Sequence, residues 1–217
     1  MVQSLILSRR LVVGAGLGML GATGAAAQAA RALLVTAEQE LGPFYPVIRP
    51  LDQDSDLTRV KGRKGTAKGQ FINVFGRVTD PAGRPVPHAV LDLWQANAAG
   101  RYDHPGDTHD APLDPNFQGS ARITADAAGN YRFRTIKPGS YPIGPGQVRT
   151  PHIHVDVKGR AQRLTTQFYF PDEPLNAKDI LFPSANPQVS VLGRRVGAAR
   201  DDPDSLAFAW DIVLAVG

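Results

Sequence analysis

The chain contains no cysteine. Disulfides, iron–sulfur clusters, blue-copper sites, thiolate haem and a cysteine nucleophile are all excluded on that ground. Its two methionines, Met1 and Met19, both fall in the N-terminal segment, so the remaining body carries no sulfur. Any metal held there must be bound through nitrogen and oxygen. An excess of one charge is lacking too. The formal net charge is +4, and two of the positives, Arg9 and Arg10, sit in a segment expected to be removed. That leaves 22 of the 24 Lys and Arg against 20 Asp and Glu, close to neutral. No basic stripe of a nucleic-acid-binding protein is present. A long amphipathic helix and an internal repeat are missing as well.

Arg9-Arg10 precede a Gly-, Ala-, Leu- and Val-rich run reaching Ala22, and Ala25-Ala26-Ala27 supplies a small-residue cleavage site. Charged start, short apolar middle and A-x-A end form an export signal over residues 1–27. The paired arginines point to the twin-arginine route and hence to a periplasmic location. An uncleaved anchor is the competing reading, disfavoured by a run that is rich in glycine and weakly apolar. Residues 28–70 read as an arm and loop. Within them Thr36-Ala37-Glu38-Gln39 has capping-box spacing and predicts one short helical turn. Arg59, Lys61, Arg63, Lys64 and Lys68 read as a solvated loop, since no periodicity organises them.

From Phe71 the pattern changes to short strands. Ile72, Val74 and Val78 alternate with more polar positions, and Asp80-Pro81-Ala82-Gly83 makes a turn. Further strands are expected over 90–95, 122–125, 131–135, 151–158, 164–170 and 206–216. Seven strands with Gly- and Pro-rich punctuation predict an all-β fold over residues 71–217, an antiparallel β-sandwich with long loops and little helix.

His152-Ile153-His154 stands in one of these strands. Side chains alternate faces along a strand, so the two imidazoles share one face while Ile153, Val155 and Val157 take the other. Two such imidazoles can meet one metal ion, yet by itself the pair fits a core edge equally well. Tyr102 and Tyr141 each follow a glycine in a loop just past a strand end, where functional groups project from a rigid sandwich. Taken singly, each is equally a half-buried aromatic with a wet hydroxyl. Asp156 shares the histidines' face, but i to i+4 spans about 13 Å of strand, which disfavours a two-histidine, one-carboxylate centre.

Three longer runs carry a resemblance. Leu93-Trp94-Gln95-Ala96-Asn97-Ala98-Ala99-Gly100-Arg101-Tyr102 continues to Ala111-Pro112-Leu113-Asp114-Pro115-Asn116-Phe117. Phe133-Arg134-Thr135-Ile136-Lys137-Pro138-Gly139-Ser140-Tyr141-Pro142 and Arg149-Thr150-Pro151-His152-Ile153-His154 follow in order. Together they resemble the intradiol ring-cleavage dioxygenases, most of all the iron-bearing β subunit type that acts on protocatechuate. The resemblance runs from about Val74 to Val213, with Gly42-Pro43-Phe44-Tyr45-Pro46 as a further shared feature.

That resemblance implies Fe(III) held by Tyr102, Tyr141, His152 and His154, and cleavage of a catechol-type diol by O2 to a cis,cis-muconate-type product. It implies that Tyr141 leaves the metal and takes a substrate proton, and that Arg149 lies beside the substrate ring. Trp94, Gln167 and Tyr45 become candidate substrate contacts. His88, His104 and His109 match nothing and read as solvated or loop residues. Either a homo-oligomer or a complex with an unlike subunit is compatible. Ile143 departs from the protocatechuate type, which has tryptophan there, and the stretch from Ile143 to Val148 looks shorter. The competing reading from another class is an exported sandwich that binds without catalysis.

Overall fold

A computed structural model describes residues 32–48 and 54–216. The expected export segment, residues 1–27, lies outside them. Eleven strands follow in order: β1 (Phe71–Thr79), β2 (Val90–Trp94), β3 (Ser120–Thr124), β4 (Asn130–Ile136), β5 (Tyr141–Gly144), β6 (Gln147–Arg149), β7 (His152–Lys158), β8 (Arg163–Tyr169), β9 (Arg194–Ala199), β10 (Asp202–Ala209) and β11 (Ile212–Val213). Between β8 and β9 lie three short 3-10 turns, Pro174–Lys178, Phe182–Ser184 and Gln188–Val191. Among the described residues there is no α-helix.

One sheet places β1 between β4 and β10, with β9 beyond β10 and β11 along the end of β1. The other runs β3-β2-β7-β8, and β5 and β6 form a separate hairpin. The all-β sandwich is as expected. Most pairs are antiparallel, but β1 runs parallel to β10 and β11. Parallel neighbours need a long connection, and all the strands from β2 to β9 intervene between β1 and β10.

The two sheets enclose one apolar core. Ile72, Val74, Phe133 and Phe208 face Leu91, Leu93, Ile153, Val155, Val157 and Phe168 across it. The registers Leu93↔Val155, Leu91↔Val157 and Ile153↔Phe168 put these residues on one face of the second sheet. By the same alternation, Trp94, His154 and Gln167 form a row across its other face. Asp92, Asp156 and Thr165 form the next row. There Arg122 grips Asp92 at 2.6 and 2.9 Å, and Arg163 donates to Asp156 at 2.7 Å. Asp156 is fully buried with its Oδ1 held by Arg163 and Thr165, and among the described residues it is not part of a group of three His, Asp or Glu able to share an ion.

The segment 33–45 departs from expectation. No helical turn forms at Thr36, because tertiary hydrogen bonds claim the groups a cap would use. Thr36 N donates to Val213 O, and Thr36 Oγ1 accepts from Val213 N. Gln39 N then donates to Thr165 O on β8, a sheet-edge carbonyl. The arm is thus an extended strap along both sheets. Residues 54–69 are also partly anchored: Leu57 N donates to Arg134 O, and Leu57, Thr58 and Ala67 are buried. The five basic side chains of this stretch are exposed, as a loop reading requires.

Ile153 joins the core to the outer face, since it is wholly buried between the two histidines. Ile153→Ala should lower the unfolding free energy by about 2–5 kcal/mol in urea denaturation. Phe75→Ala, on an exposed side chain, should cost well under half of that.

Candidate metal centre

One loop, one hairpin and one strand bring the predicted ligands together. Tyr102 lies beyond β2, in a loop organised by Asn97. The Asn97 side-chain oxygen accepts from Ala99 N and Arg101 N, and its carbonyl accepts from Gly100 N and Gly139 N. One residue thereby ties the Tyr102 loop to the start of the Tyr141 loop. The contact is backbone to backbone: a Cβ at Gly100 would collide with the Ser140 carbonyl oxygen, and Gly100 also has φ +80°. Only glycine suits such a position. Tyr102 N donates to Asp107 Oδ2 at 2.7 Å, which sets the direction of the ring.

Tyr141 opens the β5–β6 hairpin, whose register pairs it directly with Arg149. Two residues later the chain enters β7 and presents His152 and His154. Their Nε2 atoms stand 3.2 Å apart. Tyr102 Oη and Tyr141 Oη each lie 3.5 Å from His152 Nε2. Two phenol oxygens and two imidazole nitrogens thus converge on one point, and all four residues are only 1–4% exposed.

Spacings of this size suit a shared ion, because metal–ligand bonds of about 2.1 Å put neighbouring donor atoms roughly 3.0–3.5 Å apart. His152 Nδ1 lies 2.6 Å from Thr150 O and must donate to it, leaving Nε2 with a free lone pair. Burial, reinforced by the Arg149 charge, drives the His152 pKa well below its usual value. His154 is lowered by burial and then by His152 and Arg149. Its Nδ1 has no well-formed partner; the Glu40 carbonyl, taken by Gln167 Nε2 at 3.0 Å, pulls on the ring only weakly. Both imidazoles are neutral, as ligands must be. Burial raises both tyrosine pKa values, Tyr102 strongly and with Tyr141 adding to it. A cation at the centre would reverse that effect. Among the described residues no group of three His, Asp or Glu is placed to share an ion, so a carboxylate-based centre is not on offer.

The sequence model of a family described as Dioxygenase matches residues 41–216. The chain is 43% identical over 183 residues to the protocatechuate 3,4-dioxygenase beta chain of Burkholderia cepacia, across 81% of this chain and 74% of that one. The chain belongs to the intradiol ring-cleavage dioxygenases. A catechol 1,2-dioxygenase of Acinetobacter lwoffii is 37% identical over a shorter match, 50% of this chain and 39% of that one. Among solved structures, the dioxygenase domain of a dioxygenase–carbohydrate-binding fusion from Streptomyces sp. SirexAA-E superposes with a TM-score of 0.64 at 32% identity. That match covers 84% of this chain and 99% of that domain.

Around the four donors this dioxygenase builds a supporting network. Arg149 Nε donates to Asp179 Oδ2 at 2.9 Å, and Nη2 donates to Gln167 Oε1 at 2.6 Å and toward Tyr169 Oη at 3.4 Å. Gln167, expected as a substrate contact, is engaged in holding Arg149. Trp94 lies nearly parallel to His154, ring centres 4.8 Å apart, and Tyr45 meets Trp94 edge-on at 4.9 Å. Phe44 from the strap covers Tyr102 at 4.7 Å. A cavity of about 560 Å³ opens beside the centre, between the strap, the β5–β6 hairpin and Ile180-Leu181, with Tyr141 and Arg149 in its wall. Trp94, Gln167 and Tyr45 do not line it.

Sequence reasoning missed two residues here. Asp179 accepts from Arg149, Thr150 N, Leu181 N and Phe182 N, so one buried carboxylate locks the arginine, the approach to β7 and a cavity wall. A lone Asp far from every motif gives no local signal. His109, read as a loop residue, lines the cavity with its ring centre 5.9 Å from that of Tyr141. Its nearness to Asp107, two positions away, was the available clue.

Asp179→Ala strands a buried guanidinium and should lower the unfolding free energy by about 3–5 kcal/mol in urea titration. A second expectation concerns acid. The folded pKa of each histidine is below its unfolded value near 6.5, so their contribution is complete above about pH 6.5. Below that the unfolded state takes protons first, and stability falls as pH falls toward the folded values. In the metal-free protein the loss should approach about 1.4 kcal/mol per pH unit per histidine. A His152→Gln/His154→Gln double variant should show a flatter urea-midpoint profile between pH 6.5 and 5.

Proposed function

We propose that Tyr102, Tyr141, His152 and His154 hold one Fe(III) and that this centre cleaves a catechol-type diol between its two hydroxyls, using O2. The observation that carries the reading is the meeting of two buried phenols with two neutral imidazoles within 3.5 Å of His152 Nε2. Phenolate is a hard anionic donor, and two of them with two neutral nitrogens favour a trivalent over a divalent ion. When bound, Fe(III) would supply Lewis acidity toward the diol and so raise its reactivity toward O2.

The protein's own groups do the rest. Of the four ligands, Tyr141 lines the cavity of about 560 Å³ beside Arg149, while Tyr102 and Trp94 line a second one of about 420 Å³; the diol is assigned to the Tyr141 side because Arg149 is there. The Tyr141 phenolate oxygen takes a proton from one substrate hydroxyl. Arg149 has spent Nε and Nη2 on Asp179, Gln167 and Tyr169, which leaves Nη1 to face negative charge growing on the ring. Thr150 O holds the His152 tautomer, and the Trp94 stack holds the His154 plane. Phe44 and the strap keep bulk water from the centre. Both atoms of O2 end in the two new carboxylates, giving a cis,cis-muconate-type product.

The signal over residues 1–27 supports export, so the reaction is proposed to run in the periplasm. Matches to both a beta chain and an alpha chain, the latter of Pseudomonas putida at 32% identity, suit a homo-oligomer or a complex with an unlike subunit.

Purified protein should be burgundy-red from tyrosinate–Fe(III) absorption, contain one iron per chain and consume one O2 per diol cleaved. Tyr102→Phe and His154→Ala should lose both colour and iron. A colourless preparation that stays inert after iron loading overturns the reading.

A further inference from the structure

The cavity beside Tyr141 also carries information about the ring it accepts. An apolar cavity of about 150 Å³ suffices for benzene, and this one holds about 560 Å³. There is room for a diol with a sizeable substituent. The walls away from Arg149 are largely apolar, with His109 and Glu40 as the polar exceptions: Phe44 comes from the strap, Pro142 and Ile143 from β5, and Ile180-Leu181 from beyond the first 3-10 turn. Ile143 and Ile180 are 40% and 50% exposed, so the free enzyme shows water a hydrophobic surface at this site. A substituent lying against them would remove that surface from solvent.

The charges point the same way. Among the described residues lining the cavity, Arg149 is the only Lys or Arg. Its charge is offset by the buried carboxylate of Asp179 at 2.9 Å, and Nε and Nη2 are already engaged. The other lining residues that can carry charge are Glu40, an anion, and His109, whose Nδ1 lies 3.0 Å from the Asp107 carboxylate. With Arg149 Nη1 kept for the reacting ring, a carboxylate on the ring would meet largely apolar walls and a like charge, with no second Lys or Arg to pair with. The Burkholderia cepacia relative at 43% identity is named for protocatechuate, which bears such a carboxylate. Overall sequence similarity and the local chemistry of the cavity therefore disagree, and the cavity is what touches the ring.

We propose that this enzyme selects catechol-type diols with uncharged, apolar ring substituents and discriminates against carboxylated ones, with Ile143 and Ile180 as specificity-determining residues. The proposal rests on the reading of the Tyr141 side as the diol site.

The test uses the full-length iron enzyme. Anaerobic calorimetric titration gives Kd, and oxygen uptake gives kcat/KM, for catechol, 4-methylcatechol, 4-butylcatechol and protocatechuate. Affinity is expected to rise about fourfold per buried methylene along the alkyl series. Protocatechuate is expected to bind roughly 10–100-fold more weakly than catechol. Ile180→Ser should reduce the butylcatechol-to-catechol ratio, and Ile143→Arg should raise the protocatechuate-to-catechol ratio, each ratio being taken within one variant. A flat alkyl series, or protocatechuate equal to or better than catechol in the unaltered enzyme, overturns the proposal and leaves diol cleavage standing. Failure of catechol itself to bind or to consume oxygen overturns both.

Discussion

Side-chain alternation along β7 is the constraint on which the rest of the molecule depends. Ile153, Val155 and Val157 lock one face of the strand into the core, so His152 and His154 have no choice of direction. A slip of one residue would bury the imidazoles among apolar side chains and expose the isoleucine. The packing that stabilises the sandwich is therefore the same packing that aims the two nitrogens. Neighbouring strands extend the rule: the row Trp94, His154, Gln167 crosses β2, β7 and β8 in register, supplying a stacked ring on one side and a hydrogen-bonding amide on the other.

The second level of order comes from groups that bring distant segments to that row. Asn97 clamps the two tyrosine loops through four backbone N–H groups, and the close approach of Gly100 to Ser140 leaves no room for a side chain. Asp179 gathers Arg149, Thr150 and the Ile180-Leu181 wall onto one carboxylate. From Arg149 the network continues through Gln167 and Tyr169 to Gln39 in the strap. The strap also delivers Phe44 and Tyr45 onto the aromatic shell. Rigidly held donors, with the His152 tautomer set by Thr150 O, are what a metal site needs from its surroundings.

Much of this was legible beforehand, for identifiable reasons. Strands with alternating or continuous apolar residues, such as β1, β7 and β8, announce themselves through burial. The exposed β9, Arg194–Ala199, and the short β5–β6 hairpin carry no such pattern and were not foreseen. Leu206–Val216, read as one strand, is interrupted at Trp210, whose carbonyl accepts the Tyr131 hydroxyl at 2.6 Å. The capping box at Thr36 failed because Val213, 177 positions away, offers its N–H to the same hydroxyl oxygen. Local propensity is weak beside such a tertiary bond.

By itself the sequence determined the sulfur-free donor set, the shared face of His152 and His154, and the glycine-flanked tyrosines whose motifs mark the family. These follow from residue type and strand period, which need no partner. Only the tertiary structure decided that Asp179 and His109 stand beside the predicted ligands, that Gln167 serves Arg149, and that the cavity wall is largely apolar with its one arginine paired to Asp179. Each of these depends on contacts between residues far apart in the chain, or on loops whose direction no local period sets.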